Sequence, residues 1–410
     1  MTSLLEQLAS LTDDDWSGAN PLSPEFRDDP YPALKTLREN DPVNQTPIGP
    51  WRISRYDDIA NVFKEAPTSM TLSDGTNPNF DPLDRRGSFL EFMLNKDGDV
   101  HMRLRRLVVK AFTRRALENM QREIDQAVDA ALTKGIKAGG MDMIEDLALY
   151  VPSQMICRII GIPEADRLQF TAWTAARTNA FFAAFLPEEV KQQVREAGEG
   201  MADYFEALVK ERRKNLGEDL LSELIRAEED GDRLSGEELI VQAIGLLVAG
   251  FETTIGLIGN GARNLAYHPQ QRALLAADQS LVESAVEECL RFDTPILFNW
   301  RILTADYELG GKTLPKDSVL WLMLGAGNRD PAKFDNPEAF DVTRNNTQHL
   351  AFGGGEHFCL GHQLARMEAR TALGEFAKRV AEPKVIESGV EWSASFFRVL
   401  GKLPVEFGVA

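Results

Sequence analysis

Positive charge, cysteine and histidine are what this sequence has least of. Against 63 Asp and Glu, the 410-residue chain sets 45 Lys and Arg and 5 His, a formal charge of −18. That balance excludes nucleic acid or an anionic membrane surface as the main partner, because both demand a net positive face. Three cysteines, Cys157, Cys289 and Cys359, make an odd number without paired spacing, so a reducing compartment is expected and a disulfide framework is not. The opening stretch is broken by Glu6 and runs into Asp13, Asp14 and Asp15. It does not read as an export signal, and a cytoplasmic protein is expected. No repeat, low-complexity tract or clear interdomain linker appears. Only residues 239–262 are poor enough in charge to suggest a membrane span. They hold one charge, Glu252, but also Gln242, Asn260 and five glycines; an acid midway along a lipid-facing helix is costly, so a buried core helix is the better reading.

What the chain does have is apolar mass: 43% of its residues are hydrophobic, enough for a large core. Helical periodicity dominates residues 100–290. Extended patterns fall outside that body, at about residues 40–60, 300–325 and 384–410, with Gly310 and Gly311 as a hairpin signal. A mainly α fold with a minor β region, one large helix-rich domain over residues 1–410, is therefore expected. Residues 328–355 are rich in Asn, Asp, Pro and Gly, an irregular connection long enough to require a functional reason. The one dinucleotide-like run, from Gly325 through Gly327, lacks its third glycine and leads into no helical pattern.

Residues 352–361 carry the most specific signal. Phe352, Gly353, Gly354, Gly355, Glu356, His357, Phe358, Cys359, Leu360 and Gly361 precede a helical pattern in which Leu360, Leu364 and Met367 share a face. Consecutive glycines allow a tight turn, and amides at a helix start can stabilise a thiolate. Such a loop would hold a metal-ligating sulfur; a buried structural cysteine is the alternative. A second signal sits in the charge-poor helix, where Ala249, Gly250, Phe251, Glu252, Thr253 and Thr254 set an acid and a hydroxyl side by side among apolar residues. Gly250 would let the helix open there, although Glu252 could instead be an internally paired acid. Glu288 and Arg291 form an i, i+3 pair, and His101 and Arg105 an i, i+4 pair; alone, each is compatible with an ordinary helix surface.

Together these segments resemble the cytochrome P450 family. Residues 352–361 meet every defined position of its cysteine loop, Phe-x-x-Gly-x-His/Arg-x-Cys-x-Gly. The run 249–254 resembles its oxygen-activation motif, Glu288 and Arg291 its Glu-x-x-Arg, and the likeness extends from Asp29 to Phe407. The resemblance implies a P450 fold around a buried haem b, with Cys359 as axial ligand, Phe352 beside the sulfur, and His101, Arg105, Arg301 and His357 on the propionates. Glu252 would relay protons and Thr253 hydrogen-bond the dioxygen. The arginine that completes the Glu288–Arg291 pair in the family is replaced by Ala339, and Arg344 is the substitute at hand. The usual Asp-Pro-Pro lead-in to His101 is also missing, with Asp97, Gly98 and Asp99 in its place.

Family substrate regions map to Val248, Ala249, Leu297, Phe298, Asn299 and Phe396, and to the Phe-rich residues 180–185. Their apolar character implies a small hydrophobic substrate, with Asn299 as a polar anchor. The implied activity is O2-dependent monooxygenation, hydroxylation or epoxidation, by a soluble bacterial-type monomer. Electrons from NAD(P)H would arrive through a separate iron–sulfur ferredoxin and its reductase. Arg103, Arg105, Arg106, Lys110, Arg114 and Arg115, with no acid among them, would face that ferredoxin. A peroxide-driven peroxygenase and a non-catalytic haem sensor remain as alternatives.

Overall fold

The computed structural model describes residues 15–21, 23–81, 83–84, 89–109, 114–229, 235–393 and 395–408. In chain order the helices are α1 (Pro24–Asp28), α2 (Tyr31–Asn40), α3 (Tyr56–Glu65), α4 (Gly98–Val109), α5 (Arg114–Ala138), α6 (Tyr150–Ile160) and α7 (Arg167–Thr178), then α8 (Glu188–Arg212), α9 (Leu220–Glu229), α10 (Gly236–Tyr267), α11 (Pro269–Ala277), α12 (Val282–Phe292), α13 (Leu324–Gly327) and α14 (His362–Arg379). The strands are β1 (Val43–Gln45), β2 (Trp51–Ile53), β3 (Thr68–Ser69), β4 (Gly140–Asp142), β5 (Asn299–Leu303), β6 (Tyr307–Leu309), β7 (Lys312–Leu314), β8 (Val319–Leu322), β9 (Lys384–Val385), β10 (Glu391–Trp392), β11 (Leu400–Lys402) and β12 (Pro404–Glu406).

Packing groups these elements into two compact units. The first takes the chain up to Ser69, then Ile124–Tyr150 and everything from Thr253 onward. Its main sheet runs β1-β2-β8-β5-β3, antiparallel except between β2 and β8. Val43, Ile53, Leu303, Leu320 and Leu322 from the strands bury against Ile59 and Val62 of α3 and against Leu350; alternation along each strand puts one apolar set on that face. The Gly310–Gly311 signal forms the β6–β7 hairpin, with φ +59° and +74° at the two glycines, the left-handed pair that a two-residue turn needs. Two strands fall outside the expected regions. β3 is a two-residue edge, and β4 lies inside the helical body because Gly139 (φ +75°) ends α5 and Gly140 lies against the Val405 backbone, where β4 pairs with β12.

The second unit, Met70–Glu123 and Val151–Glu252, has no strand among its described residues. α7 packs on α8 through Phe170, whose ring lies 4.6 Å from that of Tyr204 and 5.6 Å from that of Phe205, while Gly200 leaves room for Trp173. Helix α10 is long and apolar enough to cross a membrane, yet 78% of its apolar window is buried within the protein, as in the core helix expected from sequence.

Buried in α14 of the first unit, Glu368 has a carboxyl oxygen without a hydrogen-bond partner among the described residues. Burial pushes its pKa up to about 8, so the folded state keeps the proton that the unfolded chain releases near the ordinary carboxylate range. Stability then falls as pH rises through that interval, by ~1.4 kcal/mol per pH unit, and levels off above the folded pKa. Glu368→Gln is expected to remove this slope, losing ~3 kcal/mol less than the wild type between about pH 6 and about pH 8 in denaturant titrations. An unchanged slope would show that Glu368 is not the titrating group.

Candidate active site

In the first unit the chain from Asn328 to Gly354 forms neither helix nor strand and leads into the cysteine loop. Gly353 and Gly355 take φ +68° and +67°, and a Cβ at Gly355 would collide with the Phe63 carbonyl, so the loop can lie flat on α3 only with glycine there. The Cys359 N–H donates to the Phe352 carbonyl at 3.0 Å, closing the loop on itself. Half-buried Cys359 stands three residues ahead of the 18-residue α14, where unsatisfied N–H groups and the helix dipole favour a thiolate. The other two thiols are in the opposite condition: burial pushes the Cys157 pKa up to about 11 and raises that of Cys289. They are core fillers.

Buried Arg301 of β5 lies with its guanidinium 5.0 Å from the Phe63 ring, the same residue on which the cysteine loop rests. Its Nη1 donates to the Trp300 carbonyl at 2.7 Å. Asn299 lies beside Gly353, and its Oδ1 accepts from Trp300 N–H at 2.7 Å and from Arg301 at 3.4 Å. Its oxygen is thus engaged by Trp300 and Arg301. Leu297 packs against Gly325, Phe298 lies 5.0 Å from the Trp321 ring, and both are buried. His357 is half-buried in the 3-10 turn Gly355–His357.

Helix α10 carries the acid–alcohol pair. Glu252 is 8% exposed and Thr253 more so. The helix is unbroken through residues 249–254, contrary to the opening expected at Gly250; the missing side chain there instead makes room for Ile156. One turn past Thr253, a Cβ on Gly256 would stand 2.9 Å from Pro295 and 3.0 Å from Val399. Asn260 Nδ2 donates to the Asp293 and Arg398 carbonyls at 3.2 and 2.9 Å, and the Arg398 N–H to Pro295 at 2.8 Å. The segment bearing Phe396 is thereby tied to the helix that bears Thr253.

The second unit holds the remaining residues. His101 of α4 is buried, and its Nδ1 lies 2.8 Å from the Met93 carbonyl, so Nδ1 is the donor in that bond. Gln242 of α10 accepts from Met93 N–H and donates to the Glu91 carbonyl, both at 3.1 Å, and Gly245 makes room for the Phe92 ring. The segment before His101 is therefore docked on α10, two turns ahead of Val248, Ala249 and Glu252. Arg105 is half-buried. Of the basic run, Arg103 pairs with Glu238 and Arg106 is exposed, while Lys110 and the side chains of Arg114 and Arg115 lie outside the described residues, as do those of Phe182 and Phe185. A groove of about 450 Å³ between α8 and the start of α10, lined by Glu206, Lys210, Arg213, Glu237 and Ile240, includes none of the site residues.

Glu288 and Arg291 form a fully buried pair at 2.7 and 2.8 Å, and Arg344 Nε reaches the same carboxylate at 3.0 Å. Arg344 also donates to the Ala339 carbonyl at 3.2 Å, so the backbone of the residue lacking an arginine side chain is held by the arginine that reaches in from further along. Sequence reading missed Phe63 and the partners Glu287, His349 and Arg366, and gave Gln242 and Asn260 no role beyond polarity in the charge-poor helix. The only local trace of the last group is the Glu287–Glu288 doublet. A lone thiol at a helix start, a glycine cradle that a Cβ would fill, and a buried arginine beside it suit a flat cofactor with an anionic edge and a soft-ligand metal.

The family model described as Cytochrome P450 matches residues 52–379. Vitamin D(3) 25-hydroxylase of Pseudonocardia autotrophica is 37% identical over 392 residues, 93% of this chain and 95% of that protein. The 6-deoxyerythronolide B hydroxylase of Saccharopolyspora erythraea is 36% identical over 86% of this chain and 88% of its own. The crystal structure of CYP109E1 from Bacillus megaterium in complex with testosterone superposes with a TM-score of 0.85 at 29% identity, covering 94% of this chain and 100% of that one.

Proposed function

The chain belongs to the cytochrome P450 family, whose members are monooxygenases built on a cysteine-ligated haem b, and from that premise we propose that it hydroxylates or epoxidises a small hydrophobic organic molecule with electrons from NAD(P)H relayed by an iron–sulfur ferredoxin. The observation that carries this reading is the cysteine loop: one thiol of three stands at a helix start, on a glycine cradle beside a buried arginine. When bound, the haem supplies the oxygen-activating chemistry, and thiolate donation favours O–O cleavage.

The chain's own residues divide the remaining work. Cys359 holds the iron, and Phe352 covers the sulfur. By the family resemblance, Arg301, His357, His101 and Arg105 would neutralise the propionates. The Nδ1 bond of His101 to Met93 leaves Nε2 as the ring atom for that contact. Glu252, an acid in apolar surroundings, holds and passes protons, and the Thr253 hydroxyl orients them. Val248, Ala249, Leu297, Phe298 and Phe396 supply apolar lining, and Asn299 a polar anchor. Names of relatives that include vitamin D(3), 6-deoxyerythronolide B and testosterone support a hydrophobic substrate. The protein works as a cytoplasmic monomer, with exposed Arg106 on the face met by an acidic ferredoxin, an encounter that added salt slows.

Reconstitution with a ferredoxin, its reductase and NADH under labelled dioxygen is expected to give product carrying one labelled oxygen. Product with peroxide alone, and none with the electron-transfer chain, would favour the peroxygenase instead; haem binding without product in either arm would favour the sensor. Thr253→Ala is expected to keep NADH consumption within a few-fold of wild type while most of the electrons leave as peroxide, a ~10- to 100-fold loss of coupling. Coupling at the wild-type level would remove Thr253 from the mechanism.

A further inference from the structure

A charge-balanced cluster behind the cysteine loop takes no part in the reaction as described. Glu287 of α12 accepts from Arg366 Nε and Nη2 at 2.6 and 2.8 Å, and His349 Nε2 lies 3.1 Å from the same carboxylate. The Ala351 N–H donates to His349 Nδ1 at 3.2 Å, which makes Nδ1 the acceptor and turns Nε2 toward Glu287. Burial alone would raise the Glu287 carboxyl, but the hydrogen bonds from Arg366 and His349 outweigh it and hold the pKa down to about 2. The pair therefore stays ionised, one charge against one.

Arg366 then reaches the loop and the start of its own helix. Its guanidinium carbon lies 4.4 Å from the centre of the Phe352 ring, within cation–π range, and its Nη1 lies 2.7 Å from His362 Nδ1. Because the Phe352 carbonyl accepts the Cys359 N–H, the position of Phe352 is coupled to that of the cysteine. The path runs from Glu287 through Arg366 and Phe352 to Cys359. Arginine suits it because the planar fork binds a carboxylate in two places and stacks on a ring at once, which lysine cannot do.

We propose that Arg366, balanced by Glu287, is a positioning residue that fixes Phe352 over the Cys359 loop and sets the local charge felt by the thiolate, and so tunes the reduction potential of the iron; this rests on the haem-thiolate reading above. Reduction adds one negative charge to the metal centre, and in a low-dielectric surrounding a nearby cation favours the reduced form while a nearby anion disfavours it. Removing either partner of the pair exposes the other.

The test is a potentiometric titration of the haem-loaded wild type, Arg366→Met, Arg366→Lys and Glu287→Gln, with the reduced carbon-monoxide spectrum of each. Arg366→Met is expected to shift the potential down and Glu287→Gln to shift it up. Arg366→Lys keeps the charge and is expected to restore the potential lost in Arg366→Met, while its thiolate-type band decays faster because the stacked plane is gone. Shifts of the same sign in Arg366→Met and Glu287→Gln, or none in either, would overturn the proposal, since a purely structural role damages the loop alike in both. If Arg366→Met does not load haem, Glu287→Gln and Arg366→Lys decide it, and a Glu287→Gln potential at or below wild type overturns it. A wild-type band typical of histidine ligation would instead refute the haem-thiolate reading, before any variant is compared.

Discussion

Exchange of Cys359 for serine is expected to leave the fold in place and abolish turnover. The substitution changes one atom, and the backbone N–H that donates to Phe352 at 3.0 Å is untouched, as are the left-handed glycines at 353 and 355. Nothing that shapes the loop is lost. What is lost is the ligand: a serine hydroxyl deprotonates far less readily than a thiol, so the same helix start and amides that favour a thiolate cannot deliver an alkoxide near neutral pH. Product formation should fall below detection, by several orders of magnitude, while the thermal midpoint of the cofactor-free protein stays within a few degrees of wild type. Retained turnover would mean that another side chain ligates the metal. Neither Cys157 nor Cys289 could take over, since both are buried with raised pKa values.

The second large effect concerns Glu288 and Arg291, whose side chains are 0% and 1% exposed. Arg291 donates to Glu288 and also to the carbonyls of Asn328, Pro337 and Ala339. Arg291→Met would take from the buried carboxylate its bidentate partner, leaving Arg344 and the Asp341 N–H, and would remove a donor from the Asn328 and Pro337 carbonyls, a loss of ~3–5 kcal/mol, a large share of the ~5–15 kcal/mol that a folded protein commands. Glu288→Gln should cost less, because an amide can still accept from Arg291 and from the Asp341 N–H that now reaches Glu288 at 2.8 Å. Arg344→Ala should cost least, since Arg344 is a second cation on a carboxylate already paired. The expected order of destabilisation is Arg291→Met, Glu288→Gln, Arg344→Ala, read from denaturant midpoints and from haem retained per chain. Haem retention should follow the same order because those carbonyls belong to the irregular connection leading into the cysteine loop. A midpoint for Arg291→Met within ~1 kcal/mol of wild type would contradict the account.

Much of this site was legible in the sequence because its chemistry is local. The cysteine loop packs glycines, ligand and helix start into ten residues, and the acid–alcohol pair occupies two adjacent positions, so short-range spacing reveals both. The family, the mainly helical fold with its minor sheet and the haem cofactor follow from those runs and agree with the comparisons. Contacts that span the chain were not legible. Glu287 and Arg366 are 79 residues apart, and Glu288 and Arg344 are 56 apart; nothing in either segment names its partner. Arg344 could be suggested only because Ala339 left a gap to fill. Apolar runs fail differently: the same Leu297 and Phe298 suit a pocket wall or a core, and burial beside Gly325 and Trp321 is compatible with both. Gly250 likewise could open a helix or make room for a neighbour, and here it makes room for Ile156.

Turnover as proposed depends on Cys359, as a thiolate, holding the iron. The most direct test of that ligation is the Soret band of the reduced wild-type protein under carbon monoxide. Thiolate ligation is expected to give the strongly red-shifted band, and Cys359→Ser to abolish it. A band at the position typical of histidine ligation in the wild type, or an unchanged red-shifted band in Cys359→Ser, would contradict ligation by Cys359.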